Sequence, residues 1–138
     1  MKHLLFFFVI ASIIVSCDLS DPEDVDKAEI EDILNDIVIS YTFLDLEGIM
    51  GNYHPDFLHG ADSYNSEQII WEIRQNEYDV MSIADIDIEL NDNFATAFFT
   101  LTFDEQTTQE PSTEFGDMSY FYREYDDWKI CGKNFTQP

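Results

Sequence analysis

Two histidines and an aspartate lie close together in the chain, and their side chains could transfer protons. His54, Asp56 and His59 belong to one turn-rich segment that ends near Asn65. A histidine or carboxyl group suits proton transfer when an apolar site moves its pKa toward neutrality. In a turn, an aspartate more often ties the loop together, and the polar turn around His59 indicates exposure. His54 and Asp56 are therefore the catalytic candidates, with a structural role in the turn as the alternative.

Acidic residues at alternate positions could collect a calcium ion. Asp85, Asp87 and Glu89 share one face of a predicted strand, and Asp92 follows in the turn. Calcium prefers oxygen ligands, but an EF-hand loop needs a glycine where this chain has Leu90. The histidines and cysteines beyond residue 17 are too few for a structural zinc site. We expect a solvated strand face, no metal site and no cofactor.

The first 17 residues, MKHLLFFFVIASIIVSC, are organised like a secretory leader. A basic start precedes an apolar run from Leu4 to Val15, which is shorter than the roughly 20 residues of a membrane-spanning helix. The four residues IVSC at positions 14–17 resemble the lipobox of bacterial lipoprotein signal peptides. The resemblance implies cleavage before Cys17, after a diacylglyceryl group has been joined to its sulfur.

We therefore expect residues 1–16 to be a signal peptide, and residues 17–26 to be the lipidated Cys17 followed by an acidic tether. Several acyl chains hold a protein stably on a membrane. The expected location is the bacterial cell envelope, facing outward from the cytoplasm, on either the inner or the outer membrane. The alternatives are an ordinary signal peptide with a chance cysteine, or an uncleaved anchor.

A lipid on Cys17 would leave Cys131 without a disulfide partner, since the chain has two cysteines. An unpaired cysteine in a secreted protein could be reactive. Between Ile130 and Gly132, in an apolar strand, it is more commonly a small buried hydrophobic residue. We expect the buried role.

The balance of charge is strongly acidic. The 29 acidic residues outnumber six basic ones, for a formal net charge of −23. Such a surface repels nucleic-acid phosphates and anionic headgroups, which excludes a nucleic-acid partner and favours solubility beside a negatively charged membrane. A hydrophobic content of 45% is enough to build a core.

Three helices are predicted at the start of the domain, residues 27–138. Apolar residues at steps of three and four indicate a first helix that ends near Leu44 and a shorter second one from Asp45 to Tyr53. Ser66 is typical of an N-cap for the third helix, which should end near Asn76. Its predicted inward residues are Ile69, Ile70 and Ile73, with Trp71 to one side.

The remainder predicts four antiparallel strands in a meander. They are Val80–Leu90, Phe94–Phe103, Met118–Tyr125 and Trp128–Phe135, with a polar loop at residues 104–117. Helices followed by strands indicate an α+β domain whose helices pack on one face of a sheet.

Two short motifs and the order of elements resemble a known superfamily. The sequence YHPDF at residues 53–57 resembles a turn that closes the second helix, and DDWKI at residues 126–130 resembles a final strand, in nuclear transport factor 2-like (NTF2-like) proteins. This superfamily includes SnoaL-like and ketosteroid-isomerase-like proteins. The resemblance spans roughly residues 26–135. It implies three N-terminal helices packed on a curved antiparallel sheet, a cone with a pocket at its wide end.

The resemblance leaves the activity open, because members of the superfamily catalyse reactions, bind ligands or pack against partners. It implies that His54 and Asp56 lie near the rim of the pocket, although the superfamily's acid–base residues have no clear match here. The residues expected to line the pocket are Tyr41, Tyr53, Phe57, Trp71, Tyr122 and Arg123.

Aromatic residues on the other sheet face suggest a partner. Phe94, Phe98, Tyr120 and Tyr122 are predicted opposite a face that carries Phe99, Phe103, Phe121 and Tyr125. Exposed aromatic patches usually mark an interface or a groove, and we favour a homodimer here. Arg74 and Arg123 are expected to pair with carboxylates, with an anionic ligand on Arg123 as the alternative.

The sequence thus predicts a membrane-anchored envelope lipoprotein. Its NTF2-like domain is expected to bind a small ligand or an envelope protein. The alternative is a SnoaL-like enzyme, an isomerase, dehydratase or hydrolase acting on a small apolar substrate in the cone pocket.

Overall fold

Three helices and seven strands make up the regular structure of residues 20–138, which are the residues that the computed structural model describes. The helices are α1 (Pro22–Thr42), α2 (Leu46–Met50) and α3 (Tyr64–Glu77). The strands are β1 (Leu58–His59), β2 (Asp62–Ser63), β3 (Met81–Asn91), β4 (Phe94–Phe103), β5 (Gln106–Glu110), β6 (Tyr120–Glu124) and β7 (Asp127–Ile130). The predicted α+β class, three helices on an antiparallel sheet, is confirmed. The predictions for the signal peptide and for Cys17 lie outside the described residues.

The first helix begins inside the segment that we predicted to be a tether. Asp21 caps it by accepting a hydrogen bond from the backbone N–H of Glu23 at 3.1 Å, and Pro22 occupies the first helical position. Aspartate before proline is a favourable helix start, and acidic residues in the first turn interact favourably with the positive end of the helix dipole. Residues 22–26 are therefore helical, and the acidic run includes the helix start.

The large sheet has five strands rather than the predicted four. Strand β4 pairs with β3 along one edge. On its other edge, residues 94–96 pair with β6 and residues 99–103 pair with β5. The predicted polar loop therefore contains a strand, which sequence patterning missed because the QTTQE sequence of β5 has no apolar alternation. The turn-rich segment before α3 contains a short hairpin of β1 and β2.

A bulge bends the first long strand. The register between β3 and β4 shifts between Ala84 and Asp87, and Asp85 has a φ of 54°. One extra residue in a strand switches the inward positions from odd to even numbers. Ile83 before the bulge and Ile86 after it consequently both pack against the core. The bulge curves the sheet around the helices. Beyond it the predicted alternation is confirmed, because Asp85, Asp87 and Glu89 are exposed while Ile86, Ile88 and Leu90 face the core.

The concave side of the sheet is filled with side chains. Ala95, Ala97, Phe99, Leu101 and Phe103 of β4 point inward and are buried, as predicted. Tyr41 on α1 packs against α3 and the sheet, and its hydroxyl lies 2.7 Å from the carbonyl oxygens of both Arg74 and Tyr78, which share its single proton.

The third helix presents a different face to the core than we predicted. Trp71 is fully buried, whereas Ile69 is 57% exposed and Ile73 is 48% exposed. The inward residues are Glu67, Trp71 and Arg74, which share one face at helical spacing. The prediction was wrong because it placed hydrophobic residues inside and did not anticipate that two charged residues are buried together. The helix also begins at Tyr64, with Ser63 rather than Ser66 as its N-cap.

The convex face of the sheet is partly covered by the C-terminal segment. The ring of Phe135 lies 5.0 Å from that of Tyr122 and 4.8 Å from that of His54. Tyr122 is therefore buried, and the predicted patch is smaller than expected. Tyr125, predicted on the inner face, is 93% exposed in the turn between β6 and β7. The homodimer stays a prediction. No helix in the described part of the chain is both long and apolar enough to span a membrane.

Candidate functional site

A network of five polar and aromatic side chains occupies the interior of the cone. It consists of Tyr53, Glu67, Trp71, Arg74 and Asp117, which we call the interior network. The Tyr53 hydroxyl accepts a hydrogen bond from the Trp71 ring nitrogen at 2.9 Å. It lies 3.3 Å from Glu67 Oε1 and 3.4 Å from Asp117 Oδ2. Helix α3 supplies three of these residues, and Asp117 comes from the short turn before β6.

The strongest contact in the network is an ion pair. The two terminal nitrogens of Arg74 donate to the two oxygens of Asp117 at 2.8 and 2.7 Å, a bidentate arrangement. The guanidinium lies 4.7 Å from the centre of the Trp71 ring and 5.3 Å from that of Phe115. Burial opposes the charged form of Asp117, but Arg74 more than offsets it and lowers the pKa of that carboxyl below its ordinary value.

Glu67 is the second acid beside this pair, and it is held in its neutral form. Burial, together with the nearby charge of Asp117, raises the pKa of Glu67 to about 10. Its Oε1 atom lies 3.7 Å from Arg74 Nη1, and its Oε2 atom has no hydrogen-bond partner within residues 20–138. Burial and the same two acids also raise the pKa of the Tyr53 hydroxyl well above its ordinary value. The network thus holds one arginine, one carboxylate and one carboxylic acid.

The interior is closed to a ligand. Glu67 and Trp71 have 0% exposure, and neither lines any of the five cavities found among the described residues. Arg74 reaches the floor of a depression of about 280 Å³ beside Phe115. A substrate could reach the Glu67 and Asp117 carboxyl groups only if side chains moved aside.

A large cavity opens on the surface instead. It measures about 780 Å³ and lies between the end of α2, the β1–β2 hairpin and the start of α3. We call it the hairpin cavity. Its mostly apolar wall includes Phe57 and Leu58, and Lys129 stands at one side with its ammonium donating to the Gly51 carbonyl at 2.6 Å. The lining residues are Gly51, Tyr53, Pro55, Asp56, Phe57, Leu58, Ser63, Tyr64, Asn65 and Lys129.

A second cavity of about 590 Å³ lies beside the first. It runs beside α2, and it shares Gly51 and Tyr64 with the hairpin cavity. The Tyr64 hydroxyl donates to the Met50 carbonyl at 3.2 Å. The two cavities are therefore neighbours, and Tyr64 lines both.

The two catalytic candidates, His54 and Asp56, lie in different surroundings. His54 is 3% exposed; its Nδ1 accepts the backbone N–H of Asp56 at 3.0 Å, and its Nε2 lies 3.2 Å from Glu124 Oε2. Asp56 is exposed and lines the hairpin cavity. His59 is half-buried rather than exposed, because the backbone N–H of Lys133 donates to its Nδ1 at 3.3 Å. Both ring nitrogens of His54 have partners, so its contacts are explained by a structural role in the turn.

The six predicted pocket residues do not share one pocket. Tyr41 and Trp71 are in the core, and Tyr53 and Phe57 lie beneath the hairpin cavity. Tyr122 points to the convex face because it alternates with the inward Phe121. Arg123 pairs with the Asp26 carboxylate at 2.9 Å, which is the kind of partner expected for it.

Sequence reasoning missed the acidic members of the interior network. Glu67, Trp71 and Arg74 fall at helical spacing, which was the available signal. Asp117 was missed because its partner is distant in sequence.

Within residues 20–138, no group of three or more His, Cys, Asp or Glu side chains is arranged to hold a metal. Cys131 is buried, and burial raises the pKa of its thiol to about 12.

No family model matches the sequence, and no curated protein matches it. Solved structures do resemble it. An NTF2-like protein of unknown function from Pseudomonas putida is 12% identical, with a TM-score of 0.57 over 79% of this chain and 84% of that one. A protein with a cystatin-like fold from Nostoc punctiforme is 15% identical, with a TM-score of 0.57 over 78% and 87%.

A third similar structure is a candidate dehydratase of the NTF2-like family from Streptomyces avermitilis. It is 11% identical, with a TM-score of 0.58 over 80% of this chain and 94% of that one. Identities at this level establish architecture and leave activity open. Together with the helices packed on a bulged, curved sheet, they show that this chain has the NTF2-like fold.

Proposed function

We propose that this chain is a lipid-anchored protein of a bacterial cell envelope whose NTF2-like domain is a binding module. Its ligand is a small molecule or a protein segment with an apolar portion. The binding site is the hairpin cavity together with the neighbouring cavity beside α2. The lipobox-like sequence that ends at Cys17 supports the anchor.

The closure of the cone interior is the observation that favours binding over catalysis. Side chains that could transfer protons, Glu67 and Asp117, are sealed among aromatic residues. The hairpin cavity, by contrast, is open and mostly apolar, and its Asp56 and Lys129 provide a few polar groups for orientation. Such a combination is typical of ligand sites.

Native mass spectrometry of the protein purified from its host tests the binding role. We expect an additional mass that is lost on denaturation. Leu58, at 37% exposure, lines the hairpin cavity, so Leu58→Glu should abolish the additional mass. Ile69 is a matched control because it is an exposed apolar residue outside the described cavities. An additional mass that Leu58→Glu retains would overturn this site.

The anchor has a separate test. Wild-type protein should fractionate with membranes and carry diacylglyceryl on Cys17 by mass spectrometry. Cys17→Ser should block lipidation and cleavage before residue 17, because only a thiol forms the thioether. A wild-type chain cleaved elsewhere, or without added lipid, would reject the anchor.

An enzyme acting on a small apolar substrate is the second candidate. The neutral Glu67 carboxyl, 3.3 Å from the Tyr53 hydroxyl, is the observation that favours it, since a tyrosine beside a neutral carboxyl group can donate hydrogen bonds to a substrate oxygen. Catalysis requires the interior to open. Acrylamide quenching of Trp71 fluorescence, measured in a Trp128→Phe background, distinguishes the two: weak quenching supports the binding module, and strong quenching supports the enzyme.

A further inference from the structure

The start of α1 is fixed to the edge of the sheet. The Asp26 carboxylate accepts hydrogen bonds from Arg123 Nη1 at 2.9 Å and from the Trp128 ring nitrogen at 3.1 Å. The Arg123 guanidinium also lies 5.4 Å from the centre of the Trp128 ring. Asp26 is four residues into the helix, about 6 Å along its axis. The helix start and the β6–β7 hairpin therefore occupy the same end of the domain.

The proposed lipid site is close to this end. Residues 18–21 separate Cys17 from Pro22, the first residue of α1. A fully extended chain of this length spans at most about 18 Å. The domain consequently cannot move far from the bilayer, and its N-terminal end is the part held closest.

The tip of the β6–β7 hairpin carries an aromatic residue at this end. Tyr125 follows Arg123 by two residues and is 93% exposed. Its φ of 58° is a left-handed conformation, which residues with a β-carbon rarely adopt. At this exposure the ring has little contact with the rest of the domain.

We propose that the tip of the β6–β7 hairpin is a membrane contact, with the Tyr125 ring lying among the headgroups of the bilayer to which Cys17 is anchored. The proposal rests on the lipidation stated above. Tyrosine rings favour this interfacial region because one edge is apolar and the hydroxyl is polar. The contact needs little intrinsic affinity, since the short tether makes it intramolecular.

Charge at the tip determines which lipids suit the contact. Glu124, Asp126 and Asp127 are exposed around Tyr125, and Glu23 and Asp24 flank the helix start. These carboxylates repel anionic headgroups. The contact is therefore expected to be stronger on a zwitterionic surface than on an anionic one.

Spin labels on the full-length lipidated protein test the contact. Tyr125→Cys and Phe43→Cys provide two exposed sites, since Phe43 is 77% exposed. Phe43 follows the last residue of the 21-residue helix α1, about 30 Å from its start. Cys131 is buried, and a labelling reaction on wild-type protein verifies that it does not react. The proteins are placed in phosphatidylcholine vesicles, and collisions with a water-soluble nickel chelate are measured.

We expect the collision rate at position 125 to be at least about twofold lower than at position 43, because headgroups exclude the chelate. Replacing a third of the lipid with phosphatidylglycerol should reduce that protection. Equal rates at the two positions, with lipid on Cys17 verified by mass spectrometry, would overturn the membrane contact and leave the anchor intact. Absence of lipid on Cys17 would overturn both proposals.

Discussion

Tyr53 and Glu67 join the surface of the domain to its interior. The Tyr53 hydroxyl lies 3.3 Å from Glu67 Oε1, while the same tyrosine lines the hairpin cavity. A molecule in the cavity would thus contact a ring whose polar end belongs to the interior network. The Tyr53 side chain therefore contacts Glu67 and also forms part of the cavity wall.

Glu67 should make the stability of the domain depend on pH. Its pKa is raised by burial from 4.5 to about 10, so the folded state binds a proton more tightly than the unfolded state. The resulting stabilisation is fully present below pH 4.5 and declines as pH rises toward 10, by at most about 1.4 kcal/mol per pH unit. Glu67→Gln should flatten the free energy of unfolding, measured in urea, between pH 7 and 9. Glu72→Gln, at an exposed position of α3, is the control and should keep the wild-type slope.

Removal of the Asp117 charge should destabilise the domain strongly. Asp117→Asn leaves the Arg74 guanidinium, which is 5% exposed, without its bidentate partner. Breaking a buried ion pair in this way costs about 3–5 kcal/mol. The exposed Asp126→Asn is the control, with an expected change of less than about 0.5 kcal/mol. Comparable urea midpoints for the two variants would contradict the described pair.

The face of α3 can be tested by two substitutions. Ile69→Lys should change the free energy of unfolding by less than about 0.5 kcal/mol, since the side chain is 57% exposed. Trp71→Ala should cost about 3–5 kcal/mol, because it empties a fully buried position. The opposite ranking would restore the orientation predicted from hydrophobicity.

Tyr125→Asn should stabilise the isolated domain. Asparagine accepts the left-handed conformation that Tyr125 adopts at a φ of 58°, so the gain is about 1 kcal/mol. Thermal unfolding of residues 20–138 measures it, with Tyr125→Phe as the control that should leave the midpoint unchanged. A midpoint that falls in Tyr125→Asn would show that the ring stabilises the fold.

Phe135→Ala should promote self-association through the convex sheet face. The Phe135 ring covers Tyr122 at 5.0 Å, and its removal exposes an aromatic surface next to Phe94. Sedimentation velocity should show a larger dimer fraction than in wild type at equal concentration. Phe43→Ala is the control, because it removes a ring of the same size without exposing a buried one. It should leave the dimer fraction as in wild type. Wild-type protein that is already dimeric would support the predicted homodimer.

Local patterns in the sequence predicted most helices and strands. The interior network, by contrast, depends on contacts between residues that are far apart in the sequence. The alternation in β4 and the spacing in α1 were sufficient because each depends on neighbouring residues. Strand β5 was invisible to such patterning, since its threonines and glutamines pair with β4 through the backbone. The face of α3 depends on Asp117, 43 residues beyond Arg74, which no local pattern registers. The Asp21–Pro22 sequence is a recognisable helix start. We missed it because the acidic composition of residues 17–26 suggested a tether.

Helix α1 also has a mechanical consequence. It is bonded to the sheet near its beginning by Asp26 and to α3 near its end by Tyr41. A pull on the N-terminus would be resisted first by the Asp26 contacts with Arg123 and Trp128, and then by packing along the whole helix. Load from the proposed anchor at Cys17 would therefore spread over the sheet before it reached the Tyr41 hydroxyl, and the interior network would be shielded from that tension.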